Sequence, residues 1–301
     1  MKRKIIKQGN DTLTITLPKK WARMHNLEAG NEIEVEEREK TLVLSTEKEF
    51  SLEKCCVSVA DMQPMIRRTL FSLYQKGYDE INVTFGSSKE MGLVQFSVNE
   101  MIGMEIIDQV RKSISIKELA HPEYSEFDNI LNKTFLLILN ISKESLDAAK
   151  KGDTDHLNTT AQRDKDVNKF TNFCRRALIK KGHHDFRKTA PMFFIVVELE
   201  KIGDVYRDLC LYIANSRIKI SKDEADIFEQ VNSFFYDLYD LFYKFDLKKL
   251  PEIGEKKDRI TRMIENLYDK VPKKNMKILF YLNTVAELTF DMNGSLMVAA
   301  L

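Results

Sequence analysis

The chain has 301 residues, of which 43% are hydrophobic and 31% charged, and this balance is typical of a globular protein. Its net charge of +1 gives no overall basic field of the kind that marks many nucleic-acid-binding proteins. No apolar run is long enough to span a bilayer, and the N-terminus lacks an apolar leader segment. We therefore expect a cytoplasmic protein without membrane insertion, and the scarcity of Gly (11) and Pro (6) favours long helices.

Residues 1–48 are predicted to form a small β domain. Four short segments have the alternating or β-rich pattern of strands, namely 4–7, 12–17, 32–36 and 41–44. A short helix over 19–25 follows Pro18, because proline is well tolerated at the start of a helix. A domain of fewer than about 50 residues rarely buries a stable core without a metal, a disulfide or a partner. We therefore expect this domain to form a homodimer.

Charge within this domain is strongly segregated. Residues 1–24 contain seven basic side chains and one acidic one, whereas residues 27–54 contain nine acidic and four basic ones. A basic surface of this kind, doubled in a dimer, would bind DNA phosphates. The alternative is an ordinary solvated surface. The candidate DNA-binding residues are Lys2, Arg3, Lys4, Lys7, Lys19, Lys20 and Arg23.

Residues 54–120 are predicted to form a small α/β domain, to which the sequence assigns no role. The periodicity predicts helices over 62–76 and 89–101 and strands over 80–85, 104–110 and 113–119.

Residues 122–301 are predicted to be helical throughout, as antiparallel bundles. The predicted helices are 123–151, 154–181, 189–218, 222–246, 252–270 and 273–300. They divide into two three-helix repeats, at about 122–218 and 222–301, because each half ends in a long apolar helix with two carboxylates four residues apart.

These carboxylate pairs are the main candidate site of the helical region. Glu200 and Asp204 form the first pair, and Glu287 and Asp291 form the second. The second pair supplies the only charged side chains of residues 279–301. Residues four apart project from one face of a helix, and on so apolar a helix we expect at least partial burial. An unpaired buried charge is costly, so a positive partner is expected.

A metal ion is one such partner, because carboxylate oxygens are suitable ligands for hard and borderline cations. Asp164 and Asn168, also four apart, would add oxygen ligands from the preceding helix, and Gly203 would let a neighbour approach closely. Iron, zinc, manganese and magnesium all remain open. The alternative is that Lys or Arg side chains from neighbouring helices neutralise the carboxylates.

The N-terminal segment resembles a known family. Its Leu13-Thr-Ile-Thr-Leu-Pro18-Lys-Lys-Trp-Ala and Gly30-Asn-Glu-Ile-Glu-Val35 are similar in order to the AbrB/SpoVT (MazE-like) swapped-hairpin domain. The resemblance implies an interleaved β-barrel dimer that binds DNA through basic residues of the N-terminal strand and nearby loops.

The helical region resembles PhoU. The segment Leu199-Glu-Lys-Ile-Gly-Asp204 is similar to the Leu-Glu-Arg-Ile-Gly-Asp of that family, with Lys201 where Arg is usual. Asp164-Lys-Asp-Val-Asn168 is also similar, whereas the second copy, Ala286-Glu-Leu-Thr-Phe-Asp291, keeps only the carboxylate spacing. The resemblance implies mono- or multinuclear metal binding and repression of phosphate uptake.

The whole chain resembles an archaeal-type phosphate uptake regulator, in which a MazE-like domain is fused to a PhoU-like domain. We therefore predict a DNA-binding, non-enzymatic transcription regulator of phosphate homeostasis with a metal-binding sensor domain. The alternative is an adaptor that docks on a phosphate transporter or kinase, with the β domain serving only for dimerisation. A carboxylate-bridged metal hydrolase or oxidase is disfavoured because the helices lack evident His ligands.

Overall fold

The structure is a computed structural model that describes residues 2–9, 11–38, 41–46, 53–120 and 126–301. The chain divides into two compact units, Met1–Leu52 and Glu53–Leu301. The predicted domain ends at residue 48 and at 120–122 fall on or beside residues outside the described ranges.

The first unit contains two separate antiparallel hairpins and one short helix. Its elements are β1 (Ile6–Gln8), β2 (Thr12–Thr14), α1 (Lys19–Met24), β3 (Ile33–Arg38) and β4 (Thr41–Thr46). β1 pairs with β2, and β3 pairs with β4 from Ile33 opposite Thr46 to Arg38 opposite Thr41. Among the described residues of this unit the strands form two two-stranded sheets and no closed barrel. The swapped-hairpin barrel, which needs two interleaved chains, stays a prediction.

Apolar side chains of the first unit are exposed. Ile5, Leu13, Met24 and Leu42 are each more than half exposed, and α1 contains no buried residue. Side chains of this type normally lie in a core, so a single copy of this unit leaves much of its apolar surface in water.

The second unit begins with an α/β layer. Its elements are β5 (Lys54–Ser58), α2 (Ile66–Lys76), β6 (Glu80–Thr84), α3 (Ser88–Val98), β7 (Met104–Val110) and β8 (Ser113–Glu118). The sheet order is β5-β6-β8-β7, with β5 parallel to β6 and the other pairs antiparallel. Leu70 and Tyr74 of α2 pack with Ile81 and Ile114 of the sheet in a fully buried core.

The strand β5 was not predicted from the sequence. It lies at the edge of the sheet, and only Cys55 and Val57 of its five residues are half-buried. The remaining three residues are exposed, so the apolar pattern is too short to mark a strand.

The rest of the second unit is helical. Its helices are α4 (Phe127–Lys151), α5 (Thr154–Gln162), α6 (Asp164–Lys180), α7 (Thr189–Ser216), α8 (Lys222–Tyr243), α9 (Leu250–Tyr268) and α10 (Lys273–Ala300). The single helix predicted over 154–181 is wrong, because the chain turns at Arg163, whose N–H bonds the carbonyl of Thr160. Asp164 and Asp166 then lie in the first turn of α6, where carboxylates favour the helix N-terminus.

The long helix α7 lies at the centre of the helical region. It packs against α4, α5, α6 and α10, and Ile195, Leu199 and Leu209 are almost completely buried in the shared core. α8 begins with a capping box, in which the Ser221 hydroxyl accepts from the Glu224 N–H and the Glu224 carboxylate accepts from the Ser221 N–H. Across the described residues, no helix is both long and apolar enough to cross a membrane.

A buried ionic network attaches the α/β layer to the helical region. Arg176 of α6 is fully buried, and its Nη1 donates to the carbonyl oxygens of Tyr74 at 2.6 Å and Tyr78 at 3.0 Å. Its Nη2 contacts Asp79 at 3.3 Å and Glu118 at 3.0 Å. The layer and the bundle are therefore joined through a buried guanidinium group that contacts at least four acceptors.

Candidate functional site

The seven predicted DNA-binding residues are all exposed. Lys2, Arg3 and Lys4 precede β1, Lys7 lies within it, and Lys19, Lys20 and Arg23 lie on α1. Their exposure leaves the positive charges available to a polyanion, and DNA contact by these residues stays a prediction.

The first carboxylate pair lies where α6 and α7 approach closely. A Cβ atom added at Gly203 of α7 would lie 2.9 Å from Val167 Cγ1 and 3.2 Å from Asp164 Oδ1 of α6. On α6, Asn168 Nδ2 donates to Asp164 Oδ2 at 2.8 Å. The glycine therefore brings the Asp164 carboxylate against the helix that carries the first pair.

Arginine side chains neutralise this cluster. Arg207 Nη1 donates to Asp164 Oδ2 at 2.8 Å and also pairs with Asp204, which lies three residues earlier on the same helix. Arg175 of α6 pairs with Glu200. Arg207 Nη2 also pairs with Asp208 at 2.9 Å, so two guanidinium groups serve four carboxylates.

Burial controls the protonation of the cluster. Desolvation raises the pKa of Asp164 to about 6, although Arg207 acts in the opposite direction. Burial also raises the pKa of Glu200, against the effect of Arg175. Asp164 Oδ1 is buried and has no hydrogen-bond partner, so the cluster lacks at least one donor.

Basic side chains occupy oxygens of the predicted metal ligands in this structure. In the described part of the chain, no three Asp, Glu, His or Cys side chains lie close enough to hold one. The predicted ligands Asp164, Glu200 and Asp204 direct oxygens at arginine, and Asn168 donates its amide to Asp164. This arrangement corresponds to the alternative of neutralisation by neighbouring basic side chains.

The second carboxylate pair is on the surface. Asp291 is exposed, and the Glu287 side chain is 43% exposed and pairs with Lys257 Nζ of α9 at 2.8 Å. The burial expected for this pair is therefore wrong for Asp291, because the core of α10 is formed by other faces of the helix, including Met292 and Leu296.

The sequence interpretation did not identify the basic partners. Arg207 lies three residues after Asp204, so this pair was within reach of a helix-spacing rule. Arg175 and Lys257 come from other helices, and no local pattern links them to Glu200 and Glu287.

Comparisons with known proteins support the N-terminal assignment. Residues 6–51 match the family model described as "Antidote-toxin recognition MazE, bacterial antitoxin", which confirms the MazE-like resemblance of the first unit. The structure is also similar to the crystal structure of the phosphate transport system regulatory protein PhoU from Streptococcus pneumoniae, at 17% identity and a TM-score of 0.49. That match covers 59% of this chain and 95% of that one. No curated protein matches the chain in sequence.

Proposed function

We propose that the protein is a homodimeric, DNA-binding transcription regulator of phosphate homeostasis. The match of residues 6–51 to the MazE family model carries the proposal, because the MazE-like resemblance implies a dimer that binds DNA. The seven exposed basic residues of the first unit supply the charge that such binding needs. The Leu199–Asp204 segment, which resembles PhoU, supports the link to phosphate.

Dimerisation through the first unit is supported by its exposed apolar surface. Leu13 is 67% exposed in a strand whose alternation puts it on an apolar face, and burial against a second copy would remove this surface from water. A Leu13→Lys variant should shift the mass measured by light scattering from dimer to monomer, whereas Thr12→Lys on the opposite face of the strand should not. A dimer that persists in Leu13→Lys contradicts this assignment.

DNA binding is tested with the triple variant Lys4→Ala, Lys7→Ala and Lys19→Ala. We expect affinity for promoter fragments of phosphate-transport genes to fall at least about tenfold, and the salt dependence to weaken by about 0.9 in log–log slope per lost phosphate contact. The matched control removes three exposed lysines of the second unit, Lys222, Lys270 and Lys273, and should leave both quantities unchanged.

Unchanged DNA affinity in the first triple variant would refute the DNA interface. Co-purification of a transporter component without DNA would then favour the adaptor alternative.

The metal ion predicted at the carboxylate pairs stays a prediction, separate from the DNA-binding function. Metal analysis of the purified protein beside a Glu200→Ala, Glu287→Ala double variant tests it. Equal metal content in the two proteins would show that Glu200 and Glu287 do not bind a metal ion.

A further inference from the structure

A cleft of about 460 Å³ separates the α/β layer from the helical bundle. Arg67 and Arg68 of α2 line one side, and Asn172 and Arg175 of α6 line the other, with Glu200 of α7 beside them. The cleft therefore has three guanidinium groups from two parts of the second unit and one carboxylate.

The positive charges of this cleft are only partly neutralised. Glu200 is paired with Arg175 and also attracts Arg68, so one carboxylate serves two arginines. Among the described residues Arg68 has no ion pair within 4 Å, and it is exposed. Arg67 pairs with Glu100 at 2.6 Å, at the margin between this cleft and a neighbouring one. A net positive charge remains for a ligand.

One arginine of the cleft also has an N–H group without a hydrogen-bond partner. Arg175 Nε is buried and has no hydrogen-bond partner, which is costly for a group of this kind. The nearby amides are already engaged, because Gln75 Nε2 donates to Asn172 Oδ1 at 2.5 Å and Asn172 Nδ2 donates to the Asn168 carbonyl at 2.6 Å. These bonds fix the two walls of the cleft, so the arginines are the groups available to bind a ligand.

We propose that this cleft binds the phosphate group of a small molecule, with Arg68 and Arg175 as its principal ligands. Planar guanidinium groups bind the tetrahedral oxyanion of phosphate through paired N–H donors. The volume lies within the usual range of small-molecule pockets, so it accepts inorganic phosphate or a phosphorylated metabolite. The role of this ligand as the effector of the regulator rests on the proposed function.

Binding would couple the two parts of the second unit. A phosphate held between α2 and α6 competes with Glu200 for Arg175 and draws the arginines of both walls to one anion. Because the ligand binds only the assembled cleft, it stabilises the folded unit by an amount that rises with the logarithm of its concentration once that exceeds the Kd.

The test is isothermal titration calorimetry of the full-length protein without DNA, at constant ionic strength. Sodium phosphate is titrated in one arm and adenosine monophosphate in another. We expect the wild type to bind at least one of them and to melt at higher temperature in its presence. The Arg68→Gln, Arg175→Gln double variant should bind at least about tenfold more weakly, since it loses the charged hydrogen bonds of both guanidinium groups to the anion.

The matched control is Arg111→Gln, which removes an exposed arginine of the same α/β layer between β7 and β8 and should bind like the wild type. Arg68→Gln alone, at an exposed position, keeps the test valid if the double variant fails to fold, and should also weaken binding. Stronger binding of inorganic phosphate identifies the free ion as ligand, and stronger binding of the nucleotide identifies a phosphorylated metabolite.

No binding of either ligand by the wild type, or equal binding by the arginine variants, would overturn the proposal. Neither result bears on the DNA interface, because DNA is absent and the N-terminal lysines are unchanged.

Discussion

The two carboxylate pairs share a four-residue spacing but lie in different surroundings. Glu200 is largely buried and is paired with Arg175, close to the cleft formed with the α/β layer. Glu287 is 43% exposed on α10 and is paired with Lys257. The layer, through α2, packs against α6, next to the first pair. The environment of each pair therefore depends on which elements pack against its helix, and spacing along a helix determines only that the two residues share a face.

This difference has an energetic counterpart. Exposed ion pairs contribute about 0–1 kcal/mol to stability, because water and salt screen them. Removing one partner of a buried pair costs several times more, because the other charge is left without compensation. Variants that remove basic partners of buried and of exposed carboxylates should therefore differ clearly in their free energy of unfolding.

The largest effect is expected where the α/β layer is attached to the helical region. Arg176→Met leaves the buried carboxylate of Glu118 and its neighbour Asp79 without their common guanidinium, although Lys180 remains beside them. We expect the free energy of unfolding, measured by urea denaturation, to fall by about 3–5 kcal/mol.

The matched control for this substitution is Arg262→Met in α9. Arg262 is exposed and, among the described residues, its side chain donates only to the carbonyl of Asp258 at 3.3 Å. Its removal should change the free energy of unfolding by less than about 0.5 kcal/mol. Equal effects of the two substitutions would mean that the buried network does not anchor the layer.

The second effect concerns the carboxylate cluster itself. Arg207→Met removes the guanidinium group that donates to Oδ2 of the buried Asp164 carboxylate. The other oxygen of this carboxylate, Oδ1, already has no hydrogen-bond partner. A loss of about 1.5–3 kcal/mol is expected, the usual value of a hydrogen bond to a charged group. Urea denaturation at neutral pH measures this loss in the free energy of unfolding. A loss within the range of about 0–1 kcal/mol for exposed ion pairs would show that Arg207 does not compensate the charge of Asp164.

The third effect tests the close approach of α6 and α7. Gly203→Ala places a methyl group 2.9 Å from Val167 Cγ1, so one of the helices must shift, at a cost of about 1–3 kcal/mol. Gly294→Ala, in α10, meets nothing within 4 Å and should instead stabilise the protein by about 0.5–1 kcal/mol. Melting temperatures that move in the same direction for both variants would contradict the contrast.

The long helices could be predicted from the sequence because their apolar periodicity is strong. The predicted 273–300 coincides with α10 (Lys273–Ala300), and the predicted 189–218 differs from α7 (Thr189–Ser216) by two residues. The break at Arg163 escaped prediction because a single non-helical residue leaves the periodicity almost unchanged. The break nevertheless places Asp164 in the first turn of α6, where it faces α7.

The candidate cleft could not be predicted, because its walls are brought together by tertiary packing alone. Arg68 and Arg175 are more than 100 positions apart in the chain, and each looks like an ordinary surface arginine in its local context. Charge patterns along one helix reveal partners three or four residues away, as for Asp204 and Arg207. They carry no information on which helix of another layer packs opposite.

The smallest effect is expected at the second carboxylate pair, where Lys257→Met removes the partner of Glu287. The lysine is 2.8 Å from a carboxylate that is 43% exposed, so water can solvate Glu287 when the lysine is lost. We expect the free energy of unfolding to fall by less than about 1 kcal/mol, and by still less in about 0.5 M NaCl, because salt screens exposed charges. Asp291→Asn, at an exposed position on the same helix, is the matched control for loss of one surface charge. A loss as large as that of Arg207→Met would show that the carboxylates of α7 and α10 depend equally on their basic partners, and would contradict the contrast between the two pairs.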